Sequence, residues 1–291
     1  MKCGIISIFL AVIFVASCAK IDIPSHEPKA LNIDVSTASK TKALVTGRKL
    51  PSGTSIGLFV SDVSDLTYDG ISVSNVKYTS TGEGDSQIWN TASDIMLSGT
   101  KGTLKGYYPY DESATDITAI PVEATNDNQT DWMWATPVSN LCNKSYNATV
   151  KMNHALAVVR LNIRRKSYNG TGEVTSVSFN SESAAAHAML NATNGALTSI
   201  RSTDYSYMSS DYFLLTEENK TVEFITVPSG VKSPINVSVT VDGTQLNGNT
   251  DDVKIEAGNL YEYSVFVNKN ELNINTIEIT DWNNKNVNSS F

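Results

Sequence analysis

Few side chains in this sequence are placed to do chemistry. There are three histidines, His26, His154 and His187, and three cysteines, Cys3, Cys18 and Cys142. His26 stands between Pro24 and Pro28. His154 alternates with Met152, Leu156 and Val158, the pattern of a core or near-core histidine on a strand. His187 follows Ala184-Ala185-Ala186, with no carboxylate beside it. No H-E-x-x-H, C-x-x-C or G-x-S-x-G motif occurs, and no glycine loop could cradle a phosphate. Asp251-Asp252 lacks the spaced acids and the glycine of a calcium loop. No catalytic residue, metal ligand or cofactor is expected, and the chain does not read as an enzyme.

Cys18 is the one thiol in a chemical context. Lys2 supplies the charge of a signal n-region, and Gly4 to Ala16 is an uncharged, mostly aliphatic run. That run suits a signal h-region and is too short to span a bilayer as a helix. It ends in small residues, and Val15-Ala16-Ser17-Cys18 resembles the lipobox of bacterial lipoproteins. The resemblance implies a signal peptide over 1–17, cleavage before Cys18 and diacylation of its thiol. Two acyl chains hold a protein to a membrane well, whereas one holds it weakly. With Cys3 removed and Cys18 acylated, Cys142 is alone, so the fold must rest on its core and its hydrogen-bond ladders.

The formal net charge is −8. An acidic chain is a poor partner for nucleic acid or for polybasic docking on a membrane. The length allows two domains. Their residues carry a strong strand signal and a weak helix signal. Ile235 to Val241 alternates without a fault, odd positions toward a core and even positions toward water, and runs into Asp242-Gly243, a hairpin turn signal. A first set of strands is expected at Ile56–Val60, Val73–Thr79, Gln87–Asn90, Thr103–Tyr110, Ile117–Glu123, Trp132–Thr136 and Thr149–Arg165. A second set is expected at Glu173–Asn180, Ala188–Leu190, Tyr212–Leu215, Val222–Val227, Pro234–Val241, Tyr261–Asn268 and Asn273–Asp281. One helical turn is expected near Ser183–Ala188. Two sets of short strands separated by turns predict an all-β chain with two sandwiches in tandem. The turn-rich stretch Ser167–Gly172 divides them, giving an N-terminal sandwich over 49–167 and a C-terminal one over 168–291.

Ahead of the first sandwich lies a leader over 18–48. Pro24 and Pro28 make its start a tether. Leu31 to Ser36 then alternates apolar and polar, as a half-buried strand does. Arg48-Lys49, before Pro51 and Gly53, offers an exposed basic point where a loop can be nicked.

The order of these features resembles the fimbrillin-like family, the major and minor fimbrial subunits of anaerobic Gram-negative bacteria. The matching stretches are Val15–Cys18, Thr54-Ser55-Ile56-Gly57-Leu58-Phe59-Val60, Gly106-Tyr107-Tyr108-Pro109-Tyr110 and Asn153 to Leu161. The ending Gly258-Asn259-Leu260-Tyr261 … Ile279-Thr280-Asp281-Trp282 completes the set. The resemblance implies two transthyretin-like sandwiches and an assembly route. A lipidated precursor reaches the outer membrane, and a trypsin-like protease cuts after a basic residue of the leader. The vacated groove then takes a terminal strand from another fimbrial subunit, building a pilus that serves cell adhesion. On this sequence the leader strand would be Leu31, Ile33 and Val35, or else Ala43–Thr46. The cut would fall at Arg48, with Lys42 and Lys49 behind it. The donor would come from Leu272–Phe291, through Ile277, Ile279 and Trp282. The tail after Trp282 is short and polar, which leaves stalk, tip and accessory roles open.

A second function class rests on aromatics. Tyr107, Tyr108, Tyr110, Trp132 and Trp134 fall close together, and flat rings in a polar surround can stack on sugars. That would make the chain a monomeric surface lipoprotein binding a host glycan or protein through Trp132 or Trp134. Core filling by the same rings is the commoner use of aromatics. The two classes part at the leader: a subunit needs it paired in a sheet, and a monomeric binder needs only a tether and an exposed tryptophan.

Overall fold

The computed structural model describes residues 27–37, 49–62, 67–200 and 205–282. Among them there is no α-helix, only strands and one 3-10 turn at Gly84–Ser86.

The first half builds one eight-stranded sheet. Its path runs β2 (Asn32–Thr37), β11 (Asn147–His154), β9 (Met133–Ala135), β7 (Gly102–Tyr108), β3 (Ser55–Ser61), β4 (Val73–Thr81) and β5 (Ile88–Asn90). The eighth strand, β10 (Val138–Leu141), sits beside β7, and a ribbon of β1 (Lys29–Ala30) with β6 (Met96–Leu97) lies at the leader. A twisted sheet of this size does not stay flat. It folds over on itself until its end strands β2 and β5 approach. The enclosed face carries Leu31, Ile33, Val35, Ile56, Leu58, Tyr78, Leu104, Val150 and Met152, the N-terminal core.

The second half is a sandwich of two five-stranded sheets. One has the order β14 (Ala184–Ala185), β19 (Lys220–Pro228), β12 (Ala157–Arg165), β24 (Asn259–Val267) and β25 (Leu272–Asp281). The other has the order β17 (Tyr207–Ser209), β13 (Glu173–Asn180), β21 (Asn236–Val241) and β22 (Thr244–Asn249), with β18 (Phe213–Leu214) beside β13. Between them lies the C-terminal core, which includes Val159, Leu161, Val177, Phe179, Val239, Tyr261, Tyr263 and Val265. A ribbon of β20 (Lys232–Ser233) and β23 (Val253–Lys254) flanks it.

A third core joins the halves. Strand β8 (Ile120–Glu123) from the first half completes a three-stranded sheet with β15 (His187–Asn191) and β16 (Ala196–Ile200). Beneath it pack Phe59, Tyr107, Trp132, Leu156, Leu190, Ile225, Leu260 and Trp282.

Three expectations change here. The strand expected over Thr149–Arg165 is two strands in different sheets, parted at Ala155-Leu156. The run Ala155–Val159 is buried throughout because it crosses the junction core, so no apolar–polar rhythm marks the break. Strand β12 therefore keeps company with the later strands, and the sheets change hands well before residue 167. The helical turn expected near Ser183–Ala188 is instead β14, paired with Val227 and Pro228. Ala185, Ala186 and Ala188 are buried, and tertiary packing overrides the helix propensity of alanine.

The Asp242-Gly243 turn forms as expected, with φ of 47° and 74° at its two central residues. Positive φ at both positions is the hairpin geometry that matches strand twist. The Asp242 carboxylate also accepts from the Thr171 and Tyr168 hydroxyls and from the Gly172 and Glu173 amides. The Thr171 hydroxyl and then the Gly172 amide do most to hold that carboxyl well below the usual carboxylate range. The loop at Ser167–Gly172 is thus tied to a hairpin 70 residues on.

Candidate assembly interface

The leader strand alternates as its sequence does. Leu31, Ile33 and Val35 are buried, Val35 completely, while Asn32 and Asp34 are exposed. Strand β2 runs parallel to β11, Asn32 opposite Asn147 through Thr37 opposite Met152. Its inward side chains share the N-terminal core with Leu97, Leu104, Ala148, Val150 and Met152. The Leu31 amide donates to the Ile95 carbonyl at 2.8 Å, and the Asn32 amide to the Tyr146 carbonyl at 2.9 Å. Outside the core, the Asn32 side chain donates to Asn147 Oδ1 at 2.9 Å. β2 ends the sheet path, so its other edge has no strand hydrogen-bonded to it among the described residues. A strand so placed fills a groove that would otherwise expose apolar pockets beside unpaired backbone groups.

The chain past the leader is fixed again at once. Lys49 makes an ion pair with Asp34 of β2. Leu50 is buried, and its carbonyl accepts from Gln87 Nε2 at 2.6 Å. Cys18, Lys42, Ala43–Thr46, Arg48 and Phe291 all lie outside the described residues. Lys49 is the one basic cleavage candidate that is described, and its ammonium is already engaged.

At the other end of the chain, β25 pairs antiparallel with β24 and is the outermost strand of its sheet. The pairing is regular from Leu272 to Thr276 and again from Glu278 to Asp281, with a register shift that passes over Ile277. Ile279 is 50% exposed. Trp282 is not: it is 4% exposed in the junction core and stacks on His154, ring centroids 4.3 Å apart and 16° from coplanar.

The aromatic candidates divide. Trp132 is 8% exposed, and its indole N–H donates to the Glu123 carbonyl at 3.2 Å. Trp134 is half-buried under Gly195, which has φ of +78° and where a Cβ would stand 2.3 Å from the indole, so only glycine lets the backbone cross the ring there. Tyr107 is fully buried, its hydroxyl donating to Asn75 Oδ1 at 2.8 Å, and burial pushes its phenol up to about 12. The rings serve as packing, and neither tryptophan presents the open face that a sugar platform needs.

Sequence reasoning gave no sign of one buried polar contact. His154 Nδ1 lies 2.7 Å from Asp131 Oδ2, both side chains nearly enclosed. His154 was legible as a core residue, but its partner lies 23 residues upstream, before β9. Among the described residues no group of three His, Cys, Asp or Glu side chains could hold a metal, and no helix is long and apolar enough to cross a membrane.

Three comparisons with known proteins bear on this arrangement. A model of the family described as fimbrillin-like matches residues 41–282. No curated protein matches. Among solved structures, a candidate cell adhesion protein from Bacteroides ovatus superposes with a TM-score of 0.70 at 18% identity, covering 88% of this chain and 98% of its own. A second, from Bacteroides uniformis, gives 0.67 at 18% identity, with 87% and 99% covered. A third, from Bacteroides fragilis, gives 0.57 at 11% identity over the same shares. At such identities the likeness is one of fold.

Proposed function

The chain belongs to the fimbrillin-like family, and from that premise we propose that it is a fimbrial adhesion subunit made as a lipidated precursor and assembled by strand exchange. In this reading Cys18 carries the acyl anchor at the outer membrane, and a trypsin-like protease cuts the leader at Arg48. The groove left by β2 then receives a C-terminal strand of another subunit. The two halves correspond to the two transthyretin-like sandwiches that the family resemblance implies.

One observation carries the proposal. The leader is a core strand at a sheet edge, not a tether: Leu31, Ile33 and Val35 complete the N-terminal core. Its strand ladder is a parallel one to a single neighbour, and parallel pairing is slightly weaker per residue than antiparallel. An incoming strand can therefore replace it without disturbing β11 or β9. The glycan-binding alternative loses its support, since Trp132 is enclosed and Trp134 is covered.

Limited trypsin digestion of the folded, leader-containing protein tests the reading, with mass spectrometry and sizing before and after. The expected result is one early cut at Arg48, loss of the 27–37 strand and a ladder of oligomers. A cut product that sheds its leader and stays monomeric would overturn it.

A further inference from the structure

The last strand is built in two parts. Leu272 is buried in the C-terminal core and lies so close to Gly248 that a Cβ there would stand 2.9 Å away. From Leu272 to Thr276 the pairing with β24 is regular. The register then shifts at Ile277, and a bulge of this kind weakens the ladder locally. Beyond it the ladder continues for four pairs, Glu278 with Glu262 through Asp281 with Asn259. In that short stretch Ile279 faces water, and the Thr280 hydroxyl is buried without a hydrogen-bond partner.

What fastens the far end is Trp282. Its amide donates to the Gly258 carbonyl at 2.9 Å, and its ring lies on His154, which Asp131 holds from the first half of the chain. The fastening is polar where an apolar one would fit. Asp131 Oδ1 is buried and finds no hydrogen-bond partner. A buried polar contact gives position more than stability, because desolvation of its groups offsets most of the attraction. A half-satisfied buried carboxylate is costly and calls for a physical reason.

We propose that Trp282, His154 and Asp131 form a releasable clasp, and that the segment it frees begins at Glu278, leaving Leu272–Thr276 in the sheet. The partner for the freed segment is a second copy of this chain, a step that rests on the strand-exchange reading above. His154 and Asp131 are positioning residues here: His154 lies against Trp282, and Asp131 acts on it only through His154.

The test is amide hydrogen exchange on the full chain, as wild type, as Asp131→Asn, and as the apolar pair Asp131→Leu with His154→Phe. In Asp131→Asn, exchange at Glu278–Trp282 is expected to rise by about tenfold or more while Leu272–Thr276 and β2 keep their rates. In the apolar pair, exchange at Glu278–Trp282 is expected to slow, since a packed apolar contact has no desolvation to offset. A rise spread over all of β25 or over β8 and β15 would overturn the clasp, as would no change in either variant. Oligomer growth after trypsin treatment is read alongside. Faster growth in Asp131→Asn with local exchange supports both ideas. Local exchange with no oligomers keeps the clasp and removes its use in strand exchange. Unchanged exchange with normal oligomers removes the clasp and leaves the assembly reading standing.

Discussion

Each end of the described chain finishes as a sheet edge, and the two edges are made from opposite materials. The leader strand β2 alternates without a break, sends Leu31, Ile33 and Val35 into the N-terminal core, and pairs in parallel with a distant strand. The C-terminal strand β25 pairs antiparallel with its immediate neighbour in sequence, carries a register shift, and exposes Ile279. Removing the first takes side chains out of a core. Removing the outer part of the second takes away one anchor and a few ladder bonds. An acceptor groove must be deep to choose its occupant, whereas a donated strand must leave cheaply. Under the strand-exchange proposal, the difference between the edges is the one those two tasks would require.

The contrast can be broken most sharply with a charge. Val35→Asp places an unpaired carboxylate in a fully enclosed position and is expected to cost about 3–5 kcal/mol of stability. Ile279→Asp, half exposed on the other edge, is expected to stay within about 0.5 kcal/mol. Urea unfolding of both variants decides, and equal losses would dissolve the comparison. Next in size is Ile33→Ala, expected to lose about 2–4 kcal/mol through transfer and cavity terms, read from the same midpoints.

A smaller effect is electrostatic. Tyr263 faces Thr276 of β25 across the ladder, and burial raises its phenol, with a further push from Tyr261. Its folded value lies above the unfolded value of about 10, so its contribution is complete below that pH and is lost as the pH climbs toward the folded value. Tyr263→Phe should therefore flatten the alkaline fall in stability of the C-terminal sandwich, followed by near-ultraviolet circular dichroism between about pH 9 and 12. The smallest change expected is Asp34→Asn. It frees Lys49 from an ion pair whose acid is mostly exposed, worth about 0–1 kcal/mol. Its readable consequence is a second tryptic cut after Lys49 in peptide maps.

The edges also show how far a sequence can be read. Strict alternation over Leu31–Ser36 and Asn236–Val241 placed both strands and their buried faces correctly. Periodicity failed where a segment is buried on every side. Ala155–Val159 gave no rhythm, so the change of sheet there was invisible, and Ala184–Ala186 looked helical because alanine packs flat in a crowded junction. Short ladders such as β1 with β6 are too brief to leave a pattern. Of the proposed donor residues, Ile279 stands at an open edge, whereas Trp282 is buried against a histidine whose aspartate partner no local pattern links to it. The aromatic cluster was legible as a cluster; how far Trp134 is covered depends on Gly195, far away in sequence.

The parallel pairing of β2 with β11 also sets an order in time. Asn32 meets Asn147 across a separation of 115 residues. At a synthesis rate of about 5–20 residues per second, the leader waits on the order of ten seconds for its partner to be made. The C-terminal hairpin has no such delay, since Val267 already faces Leu272. A strand made near the start of the chain thus waits until about half of the chain exists before it can be placed. Until then the N-terminal core is incomplete, because Leu31, Ile33 and Val35 supply part of it.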